Sequence, residues 1–153
     1  MANTYNQLFI HLVFGVKYRE GVISASWRQR LYEYTIGIIE KCGHKVYAIG
    51  GMQDHVHILV SMSPKQSVSD LVRDVKRSTS MWINENRMVV GRFEWQEGFG
   101  AFSYGKSQVE KVVNYIRNQE VHHKKKTFRE EYTEFLKLFE IEYNERFIFK
   151  ELA

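Results

Sequence analysis

One cysteine, Cys42, and one proline, Pro64, are all that this 153-residue chain holds of either. A lone thiol excludes an internal disulfide framework and suits a reducing cytoplasm. A single proline, with no Gly/Ser-rich linker and no internal repeat, leaves no place to divide the chain. Residues 1–153 are therefore expected to form one domain. No apolar run approaches the ~20 residues that cross a bilayer, and the N-terminus lacks a charged-then-apolar signal pattern. The expectation is a cytoplasmic protein with no membrane partner. Neither sign of charge predominates: 22 Lys and Arg oppose 18 Asp and Glu, for a net +4. That balance suits a nucleic-acid partner, and equally ordinary solubilising charge. A 44% hydrophobic content with 26% charged residues excludes a disordered chain.

What is present is periodic. Ser26 with Gln29, Ser67 with Asp70, Ser107 with Glu110 and Thr127 with Glu130 are capping-box signatures that open four helices. Each precedes an apolar stripe at i, i+3/i+4, i+7 spacing: Trp27, Leu31, Tyr34 and Ile38; Leu71, Val72, Val75 and Thr79; Val109, Val112, Val113 and Ile116; Phe128, Tyr132, Phe135 and Phe139. Cys42 falls near the end of the first helix and reads as a small core residue. Strands are expected at Leu8 to Val16, Lys45 to Ile49, Asp54 to Val60, Arg92 to Trp95 and Ala101 to Tyr104, with Gly50-Gly51 as a turn. The order β-α-β-β-α-β predicts an α+β, ferredoxin-like (RRM-like) antiparallel sheet with helices on one face. An extra strand and C-terminal helices, the last over about 127–142, are appended to it.

Alternation along His55-Val56-His57 puts both imidazoles on one strand face, where they can address a single cation. The same pair also reads as two half-buried histidines hydrogen-bonded to backbone or water. His11, on the first strand, shares that face. Lys111, Tyr115 and Gln119 are spaced i, i+4, i+8 and form a polar row on the third helix. If that row covers the histidines, His55, His57 and the Gln119 carbonyl oxygen make a facial metal site with Tyr115 beside it as a nucleophile. Spacing alone also allows Tyr115 as an amphipathic boundary residue and Gln119 as a solvated one.

His55-Val56-His57 followed far downstream by Tyr115-Ile116-Arg117-Asn118-Gln119 resembles the signature of the HUH single-tyrosine transposases. These are the TnpA-type enzymes of the smallest bacterial insertion sequences, and they include repeat-associated relatives. The resemblance extends over most of the chain, through Leu12-Val13-Phe14, Lys17-Tyr18-Arg19, Lys76-Arg77, Trp95-Gln96-Glu97-Gly98, Phe102-Ser103 and Asn118-Gln119-Glu120. It implies that His55, His57 and Gln119 bind Mg2+ or Mn2+ and that Tyr115 is the catalytic nucleophile. The implied activity is cleavage and rejoining of single-stranded DNA through a 5′-phosphotyrosine, at hairpins of element ends, by a homodimer that associates with the nucleoid when acting. Other classes stay open: a domesticated repeat-processing endonuclease, a metal hydrolase using activated water, or a non-catalytic nucleic-acid-binding module that stacks bases on its sheet.

DNA contacts are sought on the basic face of the second helix, at Arg73, Lys76 and Arg77, with Lys111 and His11 added. A solvated basic face is the alternative, and for His11 a hydrogen-bonded structural role. His122-His123-Lys124-Lys125-Lys126 reads as a basic loop that ends the third helix rather than a second metal tract.

Overall fold

Alternation in the first strand decides the architecture. In the computed structural model, which describes residues 5–119 and 126–141, strand β1 spans Phe9–Gly15 and sends Leu12 and Phe14 to one side, Phe9, His11 and Val13 to the other. The other strands are β2 (Lys45–Met52), β3 (His55–Ser61) and β4 (Gly100–Tyr104). They pair antiparallel in the order β2-β3-β1-β4, the ferredoxin-like arrangement. Helices α1 (Ala25–Lys41) and α2 (Val68–Glu85) cover one face. Leu12, Ile58, Leu31, Leu71 and Ile83 are fully or almost fully buried there, each contributing roughly 1.5–3 kcal/mol by leaving water.

The opposite face is not open. Helix α3 (Val109–Arg117) packs on it through Val112 and Ile116 against Phe9, Ala48 and Leu59. Helix α4 (Phe128–Leu138) adds Phe128 and Leu136 against Val13 and Phe102. The three histidines lie between these two apolar groups and the sheet.

Several boundaries differ from the sequence expectation, each for a local reason. Ser24, not Ser26, caps α1, accepting from the Ser26 backbone N–H at 3.3 Å. Ser67 caps α2 by accepting from the Asp70 N–H at 3.0 Å, as expected. Thr127 does the same for α4 with Glu130 N–H at 3.2 Å. Ser107 lies inside a 3-10 turn, Lys106–Gln108, and the Gln108 side chain accepts from Gly105 N–H instead. Arg92 to Trp95 is not a strand but joins the sheet by one bridge, Val16 to Trp95. Cys42 is exposed at the α1 C-cap, outside the core. Residues beyond 141, where the last helix was expected to end, and residues 120–125, which hold His122 to Lys125, lie outside the described residues.

Gly50-Gly51 is the most informative departure. It is strand, paired with His57 and Val56 of β3, and the turn is Gln53-Asp54. A Cβ on Gly50 would stand 2.3 Å from the Ile116 carbonyl oxygen. Glycine is therefore what lets the α3 backbone settle onto the sheet beside His57. Gly50→Ala is expected to lower stability by roughly 1–3 kcal/mol and to displace Tyr115. A thermal melt beside an activity assay would register both, and an unchanged melt would refute the close-approach role.

Candidate active site

His55 and His57 are fully buried on the face that α3 and α4 cover. Their outward nitrogens are already engaged. His55 Nδ1 lies 2.7 Å from Asp54 Oδ1, and His57 Nδ1 lies 2.8 Å from His11 Nε2. Such partners fix ring orientation, and the carboxylate fixes the His55 tautomer as well. Both Nε2 atoms then point inward. Gly15 stands opposite His55 in the β1–β3 register. A Cβ there would meet the Phe128 ring at 2.8 Å, and its absence lets Phe128 stack on His55 at 4.2 Å and 6°.

Tyr115 and Gln119 arrive from above. Gln119 lies just past the last residue of α3 and is 1% exposed, with Oε1 3.0 Å from His55 Nε2. The Tyr115 ring meets His57 edge-on, centroids 5.8 Å apart. Burial first, and the charge of Glu131 second, push the Tyr115 phenol well above its ordinary pKa. It is therefore a neutral hydroxyl at physiological pH, not a pre-formed phenolate. The two histidines, Gln119 and Tyr115 thus come together within one chain.

Glu131 was not anticipated. It is 2% exposed, and its carboxylate sits at the centre of the group. Oε1 is 2.8 Å from His57 Nε2 and 3.5 Å from His55 Nε2, while Oε2 accepts from the Tyr115 hydroxyl and from Gln119 Nε2 at 3.2 Å. One ligand atom from each of His55, His57 and Glu131 falls within 4.8 Å of the others, a spread that could hold one metal ion. The sequence signal was a carboxylate inside an aromatic stripe: Phe128, Glu131 and Phe135 are spaced i, i+3, i+7. Read for hydrophobicity alone, α4 gave only its aromatic residues.

The candidate DNA contacts separate. His11 is fully buried, and burial, then His57, holds its pKa well below the ordinary value. It supports His57 from behind and offers no surface to a strand. Lys76 is half-buried and tethered. Its Nζ donates to the carbonyls of Gln96 at 2.8 Å and Gly98 at 2.5 Å, over the Phe14 ring. Burial lowers its pKa to about 8. Arg73 is exposed but pairs with Asp70 at 3.3 Å and Asp74 at 3.6 Å. Arg77 and Lys111 remain exposed. Lys126, the described end of the basic loop, pairs with Glu134 at 2.6 Å. Beside Gln119 opens a cleft of about 430 Å³ lined by Arg28, Gln29, Tyr32, Gly50, Arg117 and Asn118. Among the described residues no helix is long and apolar enough to cross a membrane.

Comparison with known proteins points one way. Residues 4–119 match the family model for IS200-like transposases. The ISDra2 transposase TnpA of Deinococcus radiodurans is 34% identical over 74 residues, 48% of this chain and 53% of that relative, so the chain spans about half its length. The transposase of insertion element IS200 in Salmonella typhimurium is 25% identical over 124 residues, covering 78% of this chain and 81% of the relative. Two solved structures share the fold. A transposase from Deinococcus radiodurans superposes with a TM-score of 0.61 at 21% identity, covering 78% of this chain and 95% of its own. A REP-associated tyrosine transposase bound to a REP hairpin superposes with a TM-score of 0.60 at 15% identity, covering 80% of this chain and 73% of its own.

Proposed function

The chain belongs to the IS200-like transposase family, and from that premise we propose that it cuts and rejoins single-stranded DNA through a covalent bond to Tyr115. The observation that carries this is the convergence of His55 Nε2, His57 Nε2, Gln119 Oε1 and the Tyr115 hydroxyl in a buried group. The donor set fits a divalent cation. His55 gives its Nδ1 hydrogen to Asp54 at 2.7 Å, which leaves the Nε2 lone pair directed inward. His55, His57 and Gln119 would hold the ion, and two imidazoles with an amide oxygen suit Mn2+, with Mg2+ the harder alternative. When bound, it supplies Lewis acidity at the scissile phosphate.

The chain's own groups do the rest. Tyr115 Oη attacks phosphorus in line with the bond to the 3′ oxygen. The new O–P bond replaces that one, the phenol loses a hydrogen, and the leaving 3′ oxygen gains one. The product is a 5′-phosphotyrosine and a free 3′-hydroxyl. No phosphodiester is spent, so another 3′-hydroxyl can reverse the step and join a different strand without ATP. Phe128, Phe135 and α3 exclude bulk water, which disfavours hydrolysis of the adduct. We further propose a hairpin as the recognised element, the kind of DNA held by the REP-associated relative, and a homodimer that handles two ends. Exposed Arg77 and Lys111 are proposed phosphate contacts, and the cleft beside Gln119 is where the flanking strand would pass.

The test is incubation with hairpin DNA bearing single-stranded flanks, with Mn2+ or with EDTA, resolved on a denaturing gel. The expected result is a protein–DNA band and a free 3′-hydroxyl with Mn2+, and neither with EDTA. Turnover with no covalent band would instead mark a hydrolase.

A further inference from the structure

The carboxylate of Glu131 is too deeply buried and too centrally placed to be an incidental surface acid. At 2% exposure, an ionised side chain of this kind costs several kcal/mol unless its oxygens are matched by donors or a cation. Its two oxygens are divided. Oε2 takes the two hydrogen-bond donors of the site, the Tyr115 hydroxyl and Gln119 Nε2. Oε1 takes the imidazole side, 2.8 Å from His57 Nε2 and 3.5 Å from His55 Nε2.

On the imidazole side, Asp54 Oδ1 lies 2.7 Å from His55 Nδ1, which turns His55 Nε2 inward. Gln119 has its amide nitrogen turned to Glu131, which leaves its carbonyl oxygen facing His55 Nε2 at 3.0 Å. His55 Nε2, Gln119 Oε1 and Glu131 Oε1 thus converge, and one ligand atom from each of His55, His57 and Glu131 lies within 4.8 Å of the others. A single divalent cation placed among these atoms would be matched by all of them at once.

We propose that Glu131 is a bridging carboxylate: Oε1 is a further ligand of the divalent ion held by the histidines, and Oε2 positions the Tyr115 hydroxyl. This rests on the metal reading given above and assigns to α4 a part in it. A carboxylate oxygen hardens a donor set otherwise made of two imidazoles and one amide, and it favours Mn2+ or Mg2+ over softer ions. It also halves the net charge the buried ion would bring. Because one carboxyl carbon joins the two oxygens, the nucleophile and the ion are held at a fixed separation through a single rigid group, the kind of pre-organisation that in-line attack requires.

Mn2+ binding to the full chain, followed by the paramagnetic resonance of the free ion, tests this apart from catalysis. Glu131→Gln is expected to weaken Mn2+ affinity by at least about tenfold, and His57→Ala to abolish binding. At saturating Mn2+, Glu131→Gln is expected still to form adduct at least about tenfold more slowly, since an amide holds the phenol poorly. Wild-type affinity in Glu131→Gln with binding lost in His57→Ala would overturn the bridging ligand and leave the metal reading standing. No Mn2+ binding by the wild-type chain would overturn both. Full recovery of adduct rate at saturating Mn2+ would remove the positioning role. Should Glu131→Gln fail to fold, infrared difference spectra of wild-type chain with 13C-labelled glutamate carboxylates decide it. A labelled carboxylate band that moves on adding Mn2+ supports the proposal, and no movement overturns it.

Discussion

Tyr115→Phe is expected to abolish covalent capture of DNA while leaving the protein folded. The substitution removes one oxygen. The ring keeps its edge contact with His57 and with Phe135, centroids 5.8 Å and 5.7 Å away. The hydrogen bond lost is the one to Glu131 Oε2, which still accepts from Gln119 Nε2. Stability should therefore change by no more than about 1–2 kcal/mol. Activity should fall on the order of 10⁴-fold or more, because the substitution removes the positioned nucleophile itself. A denaturing gel beside a thermal melt separates the two. Substantial cleavage surviving in the folded variant would contradict the assignment.

His57→Ala is the second large effect, and it should damage both metal binding and fold. His57 is fully buried between His11 and Glu131. Without it, His11 Nε2 loses that hydrogen bond and the Glu131 carboxylate loses the nearer of its two imidazole neighbours. A buried charge left partly uncompensated costs roughly 3–5 kcal/mol, a loss that lowers the melting temperature by many degrees. Metal-dependent cleavage should disappear. Mixing His57→Ala with Tyr115→Phe subunits should not restore it, because α3 sets Tyr115 and Gln119 over the histidines of the same chain. Recovery in the mixture would mean that the tyrosine helix works on a partner's histidines.

The reasons some features were legible in the sequence are physical. Strand alternation placed His11, His55 and His57 on one face because side-chain direction in a strand has a period of two and little freedom. Helical spacing joined Tyr115 to Gln119 for the same kind of reason. Long-range docking of helices leaves weaker traces. Nothing in the spacing of α4 said which part of the sheet it would cover, so Glu131 passed as a polar residue between aromatic ones. Gly50-Gly51 resembled a turn because glycine pairs usually are turns. The use of Gly50 here, room for the Ile116 carbonyl, depends on a helix far downstream in the chain. For Lys76 the helix face was legible, but the carbonyls of Gln96 and Gly98 that hold it belong to an irregular loop with no period to read.

The central claim is that one named tyrosine becomes joined to a DNA 5′ end. Trypsin digestion of the adduct followed by mass spectrometry addresses it most directly, since cleavage after Lys111 and Arg117 yields a peptide, Val112–Arg117, in which Tyr115 is the sole tyrosine. The account predicts that this peptide carries the nucleotide, linked through the 5′ phosphate to the phenolic oxygen. A nucleotide found instead on Tyr132 or Tyr104, or DNA ends released with free 5′ phosphates and no linked peptide, would contradict it.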